Sequence, residues 1–119
     1  MSLLGIHQIN LNYKSLRQRV YANLELISNV DEVIQLDVQR SEHQMPGLDS
    51  QVLLDVLRTY ALYNPEIEYC QGMNYVASFL IMVFKNTEVA FKALTVIVKR
   101  FGIADMFNKQ LPMIKLFFF

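Results

Sequence analysis

Asp37 and Arg40 stand three residues apart in Ile34-Gln35-Leu36-Asp37-Val38-Gln39-Arg40-Ser41, and Gln71 lies further along in Tyr69-Cys70-Gln71-Gly72-Met73-Asn74. On a helix the first spacing puts a carboxylate and a guanidinium on one face, where the acid can pre-set the rotamer of the base. A guanidinium is always protonated and presents a planar fork of donors that fits phosphate oxygens. A glutamine amide carries an acceptor and two donors, enough to orient a water and to touch a phosphate oxygen. Gly72 beside it permits close backbone approach or a conformation that a Cβ resists. An Arg and a Gln, each on its own helix end, are the two groups that complete a nucleotide-hydrolysis site on another protein. Phosphoryl transfer asks for little beyond positioning and positive charge.

Each of these residues also has a plainer reading. An arginine near a helix C-terminus ordinarily caps the dipole and solvates. Asp37 reads equally as an anchor for the following loop, Gln71 as a connector residue, and Tyr69 as a packed aromatic with a satisfied hydroxyl. Cys70 with His43 resembles a nucleophile and its base, but no third orienting residue accompanies them and Cys70 precedes a buried run. His7 and His43 have no companions for a metal site, and a single cysteine excludes an internal disulfide and a cysteine-based zinc site.

The elements that must position Arg40 and Gln71 are helical. Glycine is scarce, proline falls in loops, and the long segments carry a 3.6-residue rather than an alternating period. Asn12 can cap a first helix over 13–28, with Leu16, Val20, Leu24 and Ile27 on one face. A short second helix is expected from Asp31-Glu32 through Arg40, followed by a loop over 41–47 marked by Pro46-Gly47. The third starts near Asp49 or Ser50, buries Leu53, Leu54, Leu57 and Ala61, and must end before Pro65. The fourth spans Gly72 to Phe84, is apolar all round, and is expected at the centre of the fold. Thr87 is expected to cap a fifth, with Val89, Leu94, Ile97 and Phe101 on its inner face and Gly102 ending it. The chain is therefore expected to be all-α: about five helices plus a tail from Ile103.

Composition narrows the partners. Eleven basic and eleven acidic residues balance to zero net charge without a basic run, so a nucleic-acid footprint is absent. Residues 69–84 carry no charge, yet the stretch falls short of ~20 residues and includes Gln71, Asn74 and Ser78, which reads as a core helix rather than a membrane span. Residues 1–6 lack the pattern of a secretory signal. Charged residues make up 18% of the 119, against about 25% in ordinary domains, and Phe117, Phe118 and Phe119 close the sequence. Such a surplus of apolar faces is expected of a part that packs against a second part.

The succession Ile34-x-x-Asp37-x-x-Arg40, then Asn64-Pro65, then Tyr69-Cys70-Gln71-Gly72-Met73 resembles the TBC domain, the GTPase-activating module for Rab GTPases. The likeness covers roughly residues 15–110, and the order and separation of the two motifs make the joint match specific. Ser41 stands where the family usually has threonine, and Glu68 where it usually has glycine.

The resemblance implies an irregular all-α domain of which residues 1–119 form the N-terminal lobe, with the C-terminal lobe missing. It implies that Arg40 is an arginine finger and Gln71 a glutamine finger that takes the place of the GTPase's own glutamine. Ile34, Asp37, Tyr69 and Gly72 are then the supporting residues. The expected partner is a GTP-bound Rab-family GTPase, which brings the nucleotide and Mg²⁺; no cofactor or metal of this chain's own is implied. The expected location is the cytoplasm, with peripheral recruitment to endomembranes through the partner or flanking regions. Two other classes stay open: a TBC-like adaptor that binds a GTPase without accelerating hydrolysis, and a helical scaffold unrelated to GTPases.

Overall fold

The computed structural model describes residues 11–65, 69 and 72–100, together with the backbone of residue 101. Within them lie five α-helices and a short 3₁₀ turn: α1 (Tyr13–Ala22), the turn Leu24–Ile27, α2 (Ser28–Gln44), α3 (Ser50–Tyr63), α4 (Met73–Phe84) and α5 (Thr87–Phe101). The described residues contain no strand, in agreement with the expected all-α class.

Several boundaries differ from the expected ones for local reasons. Asn12 caps α1 as anticipated, its Oδ1 accepting from the Ser15 N–H at 3.0 Å. The helix nevertheless stops at Ala22, because Asn23 leaves the helical region (φ −141°, ψ 52°) and the chain tightens into the 3₁₀ turn that seats Ile27 in the core. Neither a glycine nor a proline marks that break.

α2 is much longer than expected. It begins at Ser28 and runs through Ser41, Glu42 and His43 to Gln44, closing with the Met45 N–H on the Ser41 carbonyl at 2.9 Å. Those residues tolerate a helix, and the first strong breakers are Pro46 and Gly47. Arg40 therefore sits a turn inside the helix rather than at its end. Asp49 caps α3, its Oδ1 accepting from Gln51 at 3.0 Å and Val52 at 3.3 Å, and the helix ends at Tyr63 ahead of Pro65 as expected. At α5 the capping side chain is Asn86, which accepts from the Val89 N–H at 3.1 Å; Thr87 is the first helical residue. The expected roles of Gly102 and of the tail from Ile103 fall outside the described residues, as does the side chain of Phe101.

The central helix is α3, not α4. α3 packs against all four other helices, whereas α4 packs mainly on α2, α3 and α5. The first turns of α4 are buried (Met73 to Ser78, and Leu80), but Met82 and Val83 in its last turn are exposed. An apolar run identifies a helix with much surface to cover; it does not say that everything covering it lies within the same segment. Leu53, Val56, Leu57 and Tyr60 of α3 meet Ile34 and Val38 of α2, Met73 and Ala77 of α4, and Phe91 and Leu94 of α5. The inner face of α5 is Ala90, Phe91, Leu94 and Val98, with the expected Val89 and Ile97 only flanking it. Phe91 is fully buried beside Tyr13 and Tyr63, with ring centroids 5.0 and 5.9 Å away, and truncating such a side chain costs about 3–5 kcal/mol. Among the described residues no helix is long and apolar enough to cross a membrane.

Candidate functional site

Ile34 fixes the phase of α2 by inserting fully into the core beneath α3. One turn on, Asp37 is carried to the edge of the same buried face, and Arg40 follows on the flank that meets solvent. The Asp37 carboxylate is only 1% exposed, while the Arg40 side chain is 49% exposed. Arg40 Nη1 donates to Asp37 Oδ1 at 2.7 Å, the pair that the three-residue spacing predicts. The second carboxylate oxygen, Oδ2, accepts from the Tyr69 hydroxyl at 2.7 Å. Both oxygens of a buried acid are thereby committed, one to the guanidinium and one to the residue that opens the Tyr69-Cys70-Gln71 segment. A buried carboxylate so bound holds its partners firmly, since a charge-assisted bond is roughly twice as strong as a neutral one.

Among the described residues, Arg40 is held at one point. A single nitrogen engages Asp37, and the remaining N–H groups of the fork have no partner among the described residues. They stand at the surface of a helix, on the side away from the core. That is the arrangement of a cation presented to something, with its rotamer set from beneath.

The first turn of α4 is bolted to the same stretch of α2. Asn74, 1% exposed, donates from Nδ2 to the Asp37 carbonyl at 3.1 Å and to Ser41 Oγ at 2.8 Å. Its own carbonyl accepts from Ser78 Oγ at 2.6 Å. The amide orientation is fixed by chemistry, because the Asp37 carbonyl can only accept. Asn74 Oδ1 is left buried with no hydrogen-bond partner among the described residues. An unpaired buried acceptor costs about 1–3 kcal/mol, so this amide is not the cheapest way to fill the position. Gly72, which caps α4, has φ 110° and ψ −19°, a left-handed conformation that side chains resist. The structure thus brings Ile34, Asp37, Arg40 and Tyr69 together and sets Gly72 at the start of the abutting helix. Gln71, Cys70 and Glu68 lie outside the described residues.

A second Asp–Arg pair holds the scaffold behind the site. Arg58 of α3 grips Asp31 of α2 with Nε to Oδ1 at 2.7 Å and Nη2 to Oδ2 at 2.9 Å, and Gln35 adds a bond to Oδ2 at 2.8 Å. The guanidinium lies 5.5 Å from the centre of the Tyr21 ring. Its bonds to Asp31 raise its already high pKa further. Between α1 and α3, Asp55 accepts from the Tyr21 hydroxyl, from Gln51 Nε2 at 2.9 Å and from Arg17 Nη1 at 3.5 Å. Burial raises the Tyr13 hydroxyl far above the ordinary tyrosine value, and the nearby Asp55 carboxylate adds to the shift.

Sequence reasoning picked out Asp37, Arg40 and Tyr69 but overlooked Asn74 as a working residue. Its signal is present: Asn74 and Ser78, four residues apart, place a polar line on a helix that is otherwise apolar. The Asp31–Arg58 clamp joins residues 27 apart and leaves no comparable local trace. Among the described residues no group of three or more His, Cys, Asp or Glu is placed to hold a metal ion.

Comparison with known proteins adds an independent line. The Rab-GTPase-TBC domain family matches residues 1–119. "GTPase-activating protein GYP5" of Eremothecium gossypii is 32% identical over 108 residues, covering 90% of this chain and 13% of that protein. "Rab GTPase-activating protein tbc-11" of Caenorhabditis elegans is 30% identical over 95 residues, covering 75% of this chain and 10% of that protein. "Growth hormone-regulated TBC protein 1" of Rattus norvegicus is 46% identical over 48 residues, covering 40% of this chain and 17% of that protein. The chain thus spans well under a fifth of the length of these relatives. No solved structure gives a significant match.

Proposed function

Because the chain belongs to the Rab-GTPase-TBC domain family, we propose that it acts as a GTPase-activating protein on a GTP-bound Rab-family GTPase, supplying Arg40 and Gln71 in trans. The observation that carries this reading is the asymmetry of the Asp37–Arg40 pair, a buried acid holding a half-exposed guanidinium by one nitrogen. Negative charge on the phosphate oxygens in the loose transition state of GTP hydrolysis would be met by the free donors of Arg40. Gln71 would orient the attacking water in place of the GTPase's own glutamine, while the nucleotide and Mg²⁺ stay with the partner. Asp37 and Tyr69 act as supports, and residues 1–119 serve as the N-terminal lobe of the domain. Recruitment to endomembranes follows from the partner's location.

The test uses a Rab whose own catalytic glutamine is changed to alanine. The unmodified protein is expected to accelerate its GTP hydrolysis, and the Gln71→Ala variant is expected to lose that acceleration. A mutant Rab that resists the unmodified protein entirely would reduce Gln71 to a docking residue. Binding that depends on the nucleotide but brings no acceleration of the normal Rab would make the protein an adaptor.

A further inference from the structure

Asn74 grips α2 on both sides of Arg40. One of its two amide hydrogens goes to the backbone carbonyl of Asp37 and the other to the side chain of Ser41, the residues three before and one after Arg40. Among the described residues these are the side-chain hydrogen bonds that α4 makes to that turn, and all three residues are buried to 1% exposure or less. α4 cannot slide along α2 without breaking them. Asp37 in turn bonds Arg40 and Tyr69. The turn carrying the guanidinium is therefore referenced to α4 through one amide.

We propose that Asn74 is a positioning residue for Arg40, fixing the height of the Arg40 turn against the start of α4. This rests on the reading of Arg40 as the group that reaches the nucleotide. Asn74 touches neither nucleotide nor Rab; it acts through Asp37 and Ser41. Displacing a charge-stabilising group by about 1 Å can cost on the order of 10²-fold in rate. Removing the amide takes away both bonds to the Arg40 turn, so a catalytic loss is expected beside any loss of stability. Ser41→Ala, which removes one of the two bonds, is expected to give a smaller loss of the same kind, and Ser41→Thr, which keeps the hydroxyl, is expected to restore most of the rate.

The experiment measures single-turnover GTP hydrolysis by a Rab that the unmodified protein stimulates, over a range of protein concentrations, with melting temperatures recorded alongside. Asn74→Ala is expected to lower the saturating rate by about 10²-fold while the concentration giving half-saturation moves little. In an Arg40→Ala background, Asn74→Ala is expected to change the residual rate no further, because its route runs through Arg40. A purely structural Asn74 would shift half-saturation and melting together, or would add its effect to that of Arg40→Ala, and either result overturns the proposal. If Asn74→Ala is too unstable to assay, the Ser41→Ala and Ser41→Thr pair decides: equal rates for the two would also overturn it. Stimulation that survives Arg40→Ala would defeat the underlying assignment and this inference with it. Loss with Arg40→Ala but full activity in both Asn74→Ala and Ser41→Ala would defeat this inference alone.

Discussion

The α2 helix carries two Asp–Arg pairs built from the same chemical groups, and their environments are opposite. At Asp31–Arg58 the guanidinium is bidentate, only 12% exposed, and stacked near the Tyr21 ring. At Asp37–Arg40 the acid is the buried member, and the arginine is monodentate and 49% exposed. One pair engages two nitrogens of its fork inside the protein; among the described residues the other engages one and leaves the guanidinium half-exposed. On the proposed reading, burial of the acid and exposure of the base, rather than the presence of an ion pair, separate an arginine poised to act from one that joins two helices. Because the acid is buried, the pair also contributes to stability; what is left for a partner is the exposed part of the Arg40 fork.

The comparison breaks most sharply on activity. Arg40→Ala is expected to lower Rab GTP hydrolysis by ~10³–10⁵, the range an arginine finger supplies. The melting temperature is expected to fall as well, because among the described residues the buried Asp37 carboxylate then keeps only the Tyr69 hydroxyl as a side-chain partner. A calorimetric scan beside a hydrolysis assay checks both halves.

Arg58→Ala is expected to cost stability alone. It strips a largely buried carboxylate of its partner, which costs on the order of 3 kcal/mol, at the low end for buried pairs because both members keep some exposure. Urea unfolding measures that loss, and activity per folded molecule is expected to persist. A drop in activity at unchanged stability would place Arg58 in the site rather than behind it.

The smallest effect is a pH dependence confined to alkaline solution. Burial first, then the Asp55 carboxylate, raises the Tyr13 hydroxyl, and burial likewise raises Tyr21. Groups whose folded value lies above the unfolded value of ~10 stabilise fully below that pH, and the contribution is lost as pH rises above it. The α1–α3 contact is therefore expected to hold its stability through neutral pH and to weaken above about pH 10. Tyr13→Phe should flatten the alkaline limb of a melting-temperature profile without touching hydrolysis at neutral pH. An unchanged limb would mean that Tyr13 does not set it.

Much of this division could be read from residue order alone. The helical period, the Asp49 cap, the stop before Pro65 and the three-residue spacing of Asp37 and Arg40 are local features, and local features leave local traces. The misplacements share a cause. Asn23 ends α1 without a glycine or proline, a weak signal that asparagine gives only through its preference for caps, and Ser41 continues α2 because nothing before Pro46 and Gly47 forbids a helix. Arg40 accordingly lies inside its helix, where Ser41 can reach Asn74. Long-range bonds such as Tyr69 to Asp37 and Arg58 to Asp31 depend on how helices cross, which no window of sequence contains. The central place of α3 was hidden for the same reason, since the most apolar helix is not the one with the most neighbours.

The central claim is that Arg40 works through the geometry of its fork and not through charge alone. Arg40→Lys keeps the charge and removes the planar donors. Single-turnover hydrolysis by a stimulated Rab at saturating protein measures the consequence. The account predicts a rate within a few-fold of Arg40→Ala, about 10³-fold or more below the unmodified protein, with binding of the GTP-loaded Rab largely kept. Retention of most of the rate in Arg40→Lys would contradict it.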